Sequence, residues 1–180
     1  MQWVRSVLIK SFDNRSKIGV ELKKIWCNLT INEGVVRSKY YNLINLLGKL
    51  VSEGIADMCN FKSMIYIYEG FGWMEKGTLS YILANSEKYI KELGEAINDI
   101  IVNRNENVNI NKIIYNNNSI HPIGYTMAKE IEETLGINDL RKCVGMPVKF
   151  LVKYNEAFKI NNGSEIFDEE VLKKLYTVYE

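Results

Sequence analysis

The chain has 180 residues, 47% hydrophobic and 25% charged, and a net charge of +1. That is long enough for a single domain over residues 1–180 with a real core and short for two. The near-neutral balance, with lysines interleaved among glutamates, excludes the broad basic field that nucleic acid or an anionic membrane requires. No apolar run approaches bilayer length, and "MQWVRSVLIKSF" has no small-residue cleavage site after its short apolar patch. The expectation is a cytoplasmic protein that engages neither membrane nor nucleic acid.

In chain order, Met1, Val4, Leu8 and Phe12 follow helical spacing from the first residue, with no capping residue before them. The sequence enters as if in mid-helix. Either a terminal helix frays there, or the natural protein extends upstream, or its gene has lost its front. Over residues 39–61 the set Tyr40, Ile44, Leu47, Val51, Ile55 and Met58 repeats every three to four residues, with Leu43, Leu46 and Leu50 beside it. So wide an apolar arc predicts a helix central to a bundle. "YEGFGWMEKG" reads as a loop. "TLSYILANSEKYIKELGEAINDIIV" predicts one long helix with Leu79, Ile82, Leu83, Ile90, Leu93, Ile97 and Ile101 inward.

The asparagine-rich "NRNENVNINKIIYNNNS" reads as a loop with one short extended piece at 113–115. "PIGYTMAKEIEETLG" predicts a helix that begins at Pro122 and ends at a glycine cap, Gly136. "NDLRKCVG" predicts a short helix capped by Asn138 or Asp139, and "PVKFLVKYNEAFK" and "DEEVLKKLYTVYE" complete the set. With strand-like alternation rare throughout, the fold class is all-α, a bundle of about six to eight helices without internal repeats. The widely spaced Cys27, Cys59 and Cys143 read as reduced, buried thiols, since a cysteine zinc site needs closer pairs.

Most catalytic signatures are absent. There is no G-x-x-x-x-G-K-[ST], no G-x-S-x-G and no H-E-x-x-H, and His121 is the sole histidine. What stands out is "VSEGIADMC", which sets Glu53 and Asp57 four residues apart on a mostly apolar helix. Like charges at that spacing repel, and near a core the cost rises unless something positive lies between them. Lys49 and Lys62 offer one answer, exposed pairing of little consequence. A metal site is the other.

The pattern E-G-x-A-D in this stretch resembles the glutamate helix of gluzincin-type zinc metallopeptidases. There H-E-x-x-H supplies two ligands, a later glutamate the third, and an Asp four residues on orients a ligating histidine. The resemblance implies that Glu53 is a metal ligand and Asp57 an orienting carboxylate, with Gly54 and Ala56 keeping the helix thin. A second stretch, "IHPIGYTMAKEIEETLG" followed by "LRKCVGMPVKFLVKYNEA", is similar to the C-terminal part of an uncharacterised bacterial family described as zinc-dependent peptidases. It spans about residues 118–158. Related enzymes use a Tyr or His on a downstream helix as hydrogen-bond donor to the oxyanion. That role falls here on His121 or, one turn later, Tyr125, as catalytic residues. The bland readings are a histidine just before a helix, exposed or bonded to a carbonyl, and a tyrosine packed in the core.

These expectations describe a truncated or inactive C-terminal portion of a zinc peptidase, gluzincin C-terminal-like in fold. Zinc would be bound in intact relatives and not by this chain alone. A peptide would be the substrate once the site is completed by an upstream partner helix. The alternative is a non-enzymatic helical module that binds a partner or forms a homodimer through apolar surface. Tyr66, Tyr68, Phe71 and Trp73 either line a cleft or, the favoured reading, anchor a loop.

Overall fold

The computed structural model describes residues 40–72, 74–104 and 119–179. The stripe from Met1 to Phe12, Cys27, Trp73 and the 113–115 stretch lie outside them. Among the described residues there are eight α-helices and no strand, so the chain is all-α as its periodicities require. The helices are α1 (Tyr41–Asp57), α2 (Phe61–Gly70), α3 (Thr78–Ala84), α4 (Ser86–Ile101), α5 (Ile120–Leu135), α6 (Ile137–Arg141), α7 (Pro147–Asn162) and α8 (Glu169–Tyr179). None is long and apolar enough to cross a membrane.

The bundle is built around α5, which packs against α1, α3, α4, α6 and α7 and most extensively against α1. The reason is in the two apolar arcs. Leu43, Leu46, Leu47, Leu50 and Val51 on α1 and Ile123, Met127, Ala128 and Ile131 on α5 are almost wholly buried in one core with Phe150, Leu151 and Tyr154 of α7. Helices apolar over so wide an arc must be covered on several sides. The α7–α8 connection is fastened by the buried Asn155. Its Oδ1 accepts from the amides of Ile166 and Phe167, and its amide donates to the Phe167 carbonyl.

Several boundaries differ from the sequence expectation, each for a local reason. The helix expected over residues 39–61 stops at Asp57. A turn follows, and Asn60 accepts from the Ser63 amide to start α2, so that "FKSMIYIYEG" is a helix of its own. The long helix expected from Thr78 is broken at Asn85, whose side chain donates to the Tyr81 carbonyl and closes α3 before α4 begins. Such local side-chain bonds compete with helix continuation. α5 begins at Ile120, not Pro122, which takes His121 into its first turn. Gly136, not Asn138 or Asp139, occupies the cap of α6, while Asp139 pairs with Lys142 and Lys153. Cys143 is buried and its thiol pushed up to about 11 by burial, but Cys59 is exposed because it falls in the turn after α1.

In the core two helix backbones come close together at a pair of glycines. A Cβ on Gly54 would stand 2.3 Å from the carbonyl carbon of Gly124, and one on Gly124 would stand 2.5 Å from the Leu50 carbonyl oxygen. Neither obstacle is a flexible side chain, so the helices themselves would have to part. Gly124→Ala is expected to lower stability by about 1–3 kcal/mol, the scale of overpacking, measured as a lower urea midpoint. The sign is informative, since the same change on an open helix face stabilises. An unchanged or higher midpoint would mean that the crossing is loose.

Candidate functional site

The glycine contact sets the register of two polar residues. Asp57 lies three residues after Gly54 and His121 three residues before Gly124, so each sits one turn from the crossing on the facing surface of its helix. They meet there. His121 Nδ1 is 2.9 Å from Asp57 Oδ2, with the imidazole 16% and the carboxylate 5% exposed. Asp57 therefore has its partner inside the fold, in an imidazole brought from 64 residues away.

Glu53, one turn before Asp57 on the same helix face, is half-buried. Its charge acts on both members of the pair. Burial disfavours the charged imidazole, but the hydrogen bond and charge of Asp57, joined by the charge of Glu53, outweigh it and hold His121 above its usual pKa of 6.5. Burial pushes the Asp57 carboxyl up, His121 pulls it down through hydrogen bond and charge, and Glu53 adds to the upward push. The net direction is upward from 3.8. The structure thus gathers Glu53, Asp57 and His121 into one electrostatic unit.

Tyr125, one turn after His121, lays its ring on Phe61 of α2, with centroids 4.2 Å apart and planes within 13°. Two turns along α2 from Phe61, Tyr68 brings its hydroxyl to 3.4 Å from His121 Nε2, and its ring centroid is 5.5 Å from that of the imidazole. The sequence reading has Tyr68 only among the aromatics that line a cleft or anchor a loop, with no link to His121. The seven-residue step from Phe61 places both on one face of a helix, a signal that becomes readable once Asn60 is taken as a cap. Tyr66 and Phe71 are exposed, at 76% and 69%, so those two do not bury themselves as loop anchors. An open groove of about 410 Å³ lies elsewhere, between α7 and α8, lined by Val152, Asn155, Leu172 and Tyr176 among others. It contains none of the cluster and its charged rim is tied up in pairs such as Lys159–Glu165.

The family model described as "Putative zinc dependent peptidase (DUF5700)" matches residues 27–163. The chain belongs to this family. Searches of curated proteins and of solved structures returned no match. The matched segment includes Glu53, Asp57, Tyr68, His121 and Tyr125.

The donor set can be tested against the zinc in the family's description. Catalytic zinc takes three protein ligands and keeps one position open. Among the described residues no three His, Cys, Asp or Glu side chains come together in a way that could hold an ion. The chain has one histidine, and groups stand at both of its ring nitrogens. The residues described here do not fit zinc by themselves.

The charge on His121 is directly measurable, because the chain contributes one imidazole to a proton spectrum. A raised folded pKa means stability that is fully present below the unfolded value near 6.5 and lost as pH rises through the folded value. Stability should therefore fall on the alkaline side of 6.5. Asp57→Asn is expected to bring the titration of His121 down and remove that slope. A midpoint unmoved by the substitution would deny that Asp57 sets it.

Proposed function

We propose that the α1–α5 crossing is the substrate-handling part of a peptidase site and that a peptide is the substrate. Glu53 is its candidate metal-ligating carboxylate, and His121, in preference to Tyr125, is the polar group turned to the scissile carbonyl. The observation that carries the reading is the buried Asp57–His121 pair beside Glu53, found in a member of a family described as zinc dependent peptidases. Asp57 takes the Nδ1 side of the imidazole and so fixes which nitrogen faces outward. A pre-organised donor at that nitrogen stabilises a developing oxyanion by a few kcal/mol. Tyr125 suits the role less because its ring is committed to Phe61. Family membership does not favour the non-enzymatic interaction module.

Among the described residues Glu53 and one imidazole are too few donors for a catalytic ion, and on this reading the chain by itself is inactive and holds zinc only in the manner of a surface carboxylate. Zinc supplies a Lewis acid and an activated water where a complete set of ligands binds it. Purified chain equilibrated with zinc and then dialysed is expected to retain well under one equivalent by elemental analysis, and to leave a fluorogenic peptide library uncut. Stoichiometric zinc that Glu53→Gln leaves in place would remove Glu53 from its role. Turnover of peptides by the chain alone would overturn the claim of inactivity.

A further inference from the structure

The Nδ1 side of His121 carries the arrangement a metal-bound imidazole would also show, since a ligating histidine donates its other N–H to a carboxylate. What the imidazole is for is therefore decided at Nε2. That edge meets the Tyr68 hydroxyl at 3.4 Å. The phenol ring is packed against the imidazole, tilted by 55°, and its helix is pinned to α5 by the Phe61–Tyr125 stack. We infer that Tyr68 is a positioning residue whose hydroxyl, opposite Asp57, covers the second nitrogen of His121 and keeps the ring a hydrogen-bonding group instead of a metal ligand.

The physical argument is one of competition for a lone pair. With Asp57 accepting from Nδ1–H, the neutral ring has its lone pair at Nε2, the atom a metal would take. A tyrosine hydroxyl donates to that lone pair and leaves no free donor atom on the ring. When the ring is protonated, Nε2–H donates to the phenol oxygen, so the cover persists in both states. At 3.4 Å the separation is longer than the roughly 2.7–3.2 Å of a well-formed hydrogen bond, so the cover is one that an incoming oxygen can displace. A peptide carbonyl accepts from Nε2–H in the same place and with the same geometry. A metal ion must instead compete for the lone pair while Glu53 is the sole carboxylate one turn away from Asp57 on α1. Tyr68 thus selects between two kinds of visitor, oxygen acceptors over cations.

This inference uses the peptidase reading only to say what the ring serves, and its test is separate from retention of zinc. Because His121 is the sole histidine, its reaction with diethyl pyrocarbonate reports on one Nε2. Tyr68→Phe keeps the ring and removes the hydroxyl, and Tyr66→Phe, on an exposed tyrosine of the same helix, is the control. The folded wild type is expected to react more slowly than the urea-unfolded chain. Tyr68→Phe should react roughly twofold faster than wild type, the factor a long neutral hydrogen bond is worth, and Tyr66→Phe at the wild-type rate. In nitrogen-15 spectra, equimolar zinc should leave the imidazole signals of the wild type in place and shift those of Tyr68→Phe. Equal rates for wild type and Tyr68→Phe would overturn the inference. So would a folded wild type that reacts like the unfolded chain, a Tyr66→Phe that matches Tyr68→Phe, or wild-type imidazole signals that move with zinc. The wild-type measurements stand whether or not the variant folds.

Discussion

The contact on which the rest depends is the backbone-to-backbone approach of Gly54 and Gly124. With a side chain at either position the helices would stand further apart. A carboxylate and an imidazole on short side chains have little reach to recover that distance, and a hydrogen bond weakens steeply with it. The same approach lets the leucines of α1 pack with Ile123, Met127 and Ile131 in one core. Core packing and the polar pair are therefore two consequences of one geometric condition.

Burial then gives the pair its character. Asp57 is 4% exposed, so its charge has little water to lean on, and taking away its partner would leave a buried charge uncompensated at a cost of about 3–5 kcal/mol. The pair is coupled to α2 as well. Phe61 and Tyr68 touch consecutive turns at the start of α5, and the turn capped by Asn60 sends the chain back from Asp57 so that they can. One short stretch, from Gly54 to Tyr68, thus supplies the close approach, the carboxylate, the cap and the hydroxyl. The contribution of α5 is reduced to His121, Gly124 and Tyr125.

How much of this was legible in the sequence follows from the range of the interactions. The period of Ile44, Leu47 and Val51 announces α1, and that of Ile123, Met127 and Ile131 announces α5, because a buried helix face is a local pattern. The family resemblance likewise points to Glu53, Asp57, His121 and Tyr125, and the first three are coupled electrostatically in the structure. That Asp57 bonds His121 itself was not legible, since nothing local records a partner 64 residues away. The breaks at Asn60 and Asn85 were passed over for the opposite reason. Each is a single side chain that outbids a long apolar period, and the period is the louder signal. Missing α2 as a helix left Tyr68 in a loop, with no face and hence no neighbour to assign.

The site also answers the charge question that Glu53 and Asp57 raise. Two carboxylates one turn apart on a helix that enters a core create a demand for positive charge. A dication and a proton on an imidazole satisfy that demand in the same way, and which of them does so depends on the donors present. Here the imidazole is drawn in by the glycine crossing and its pKa raised by the two carboxylates, against the effect of burial. Both carboxylates favour a proton on His121, as they would favour a metal ion. A metal ion seeking the imidazole would have to displace the Tyr68 hydroxyl. The spacing of the two acids thus favours positive charge at this crossing, and among the described residues the imidazole of His121 is placed to carry it.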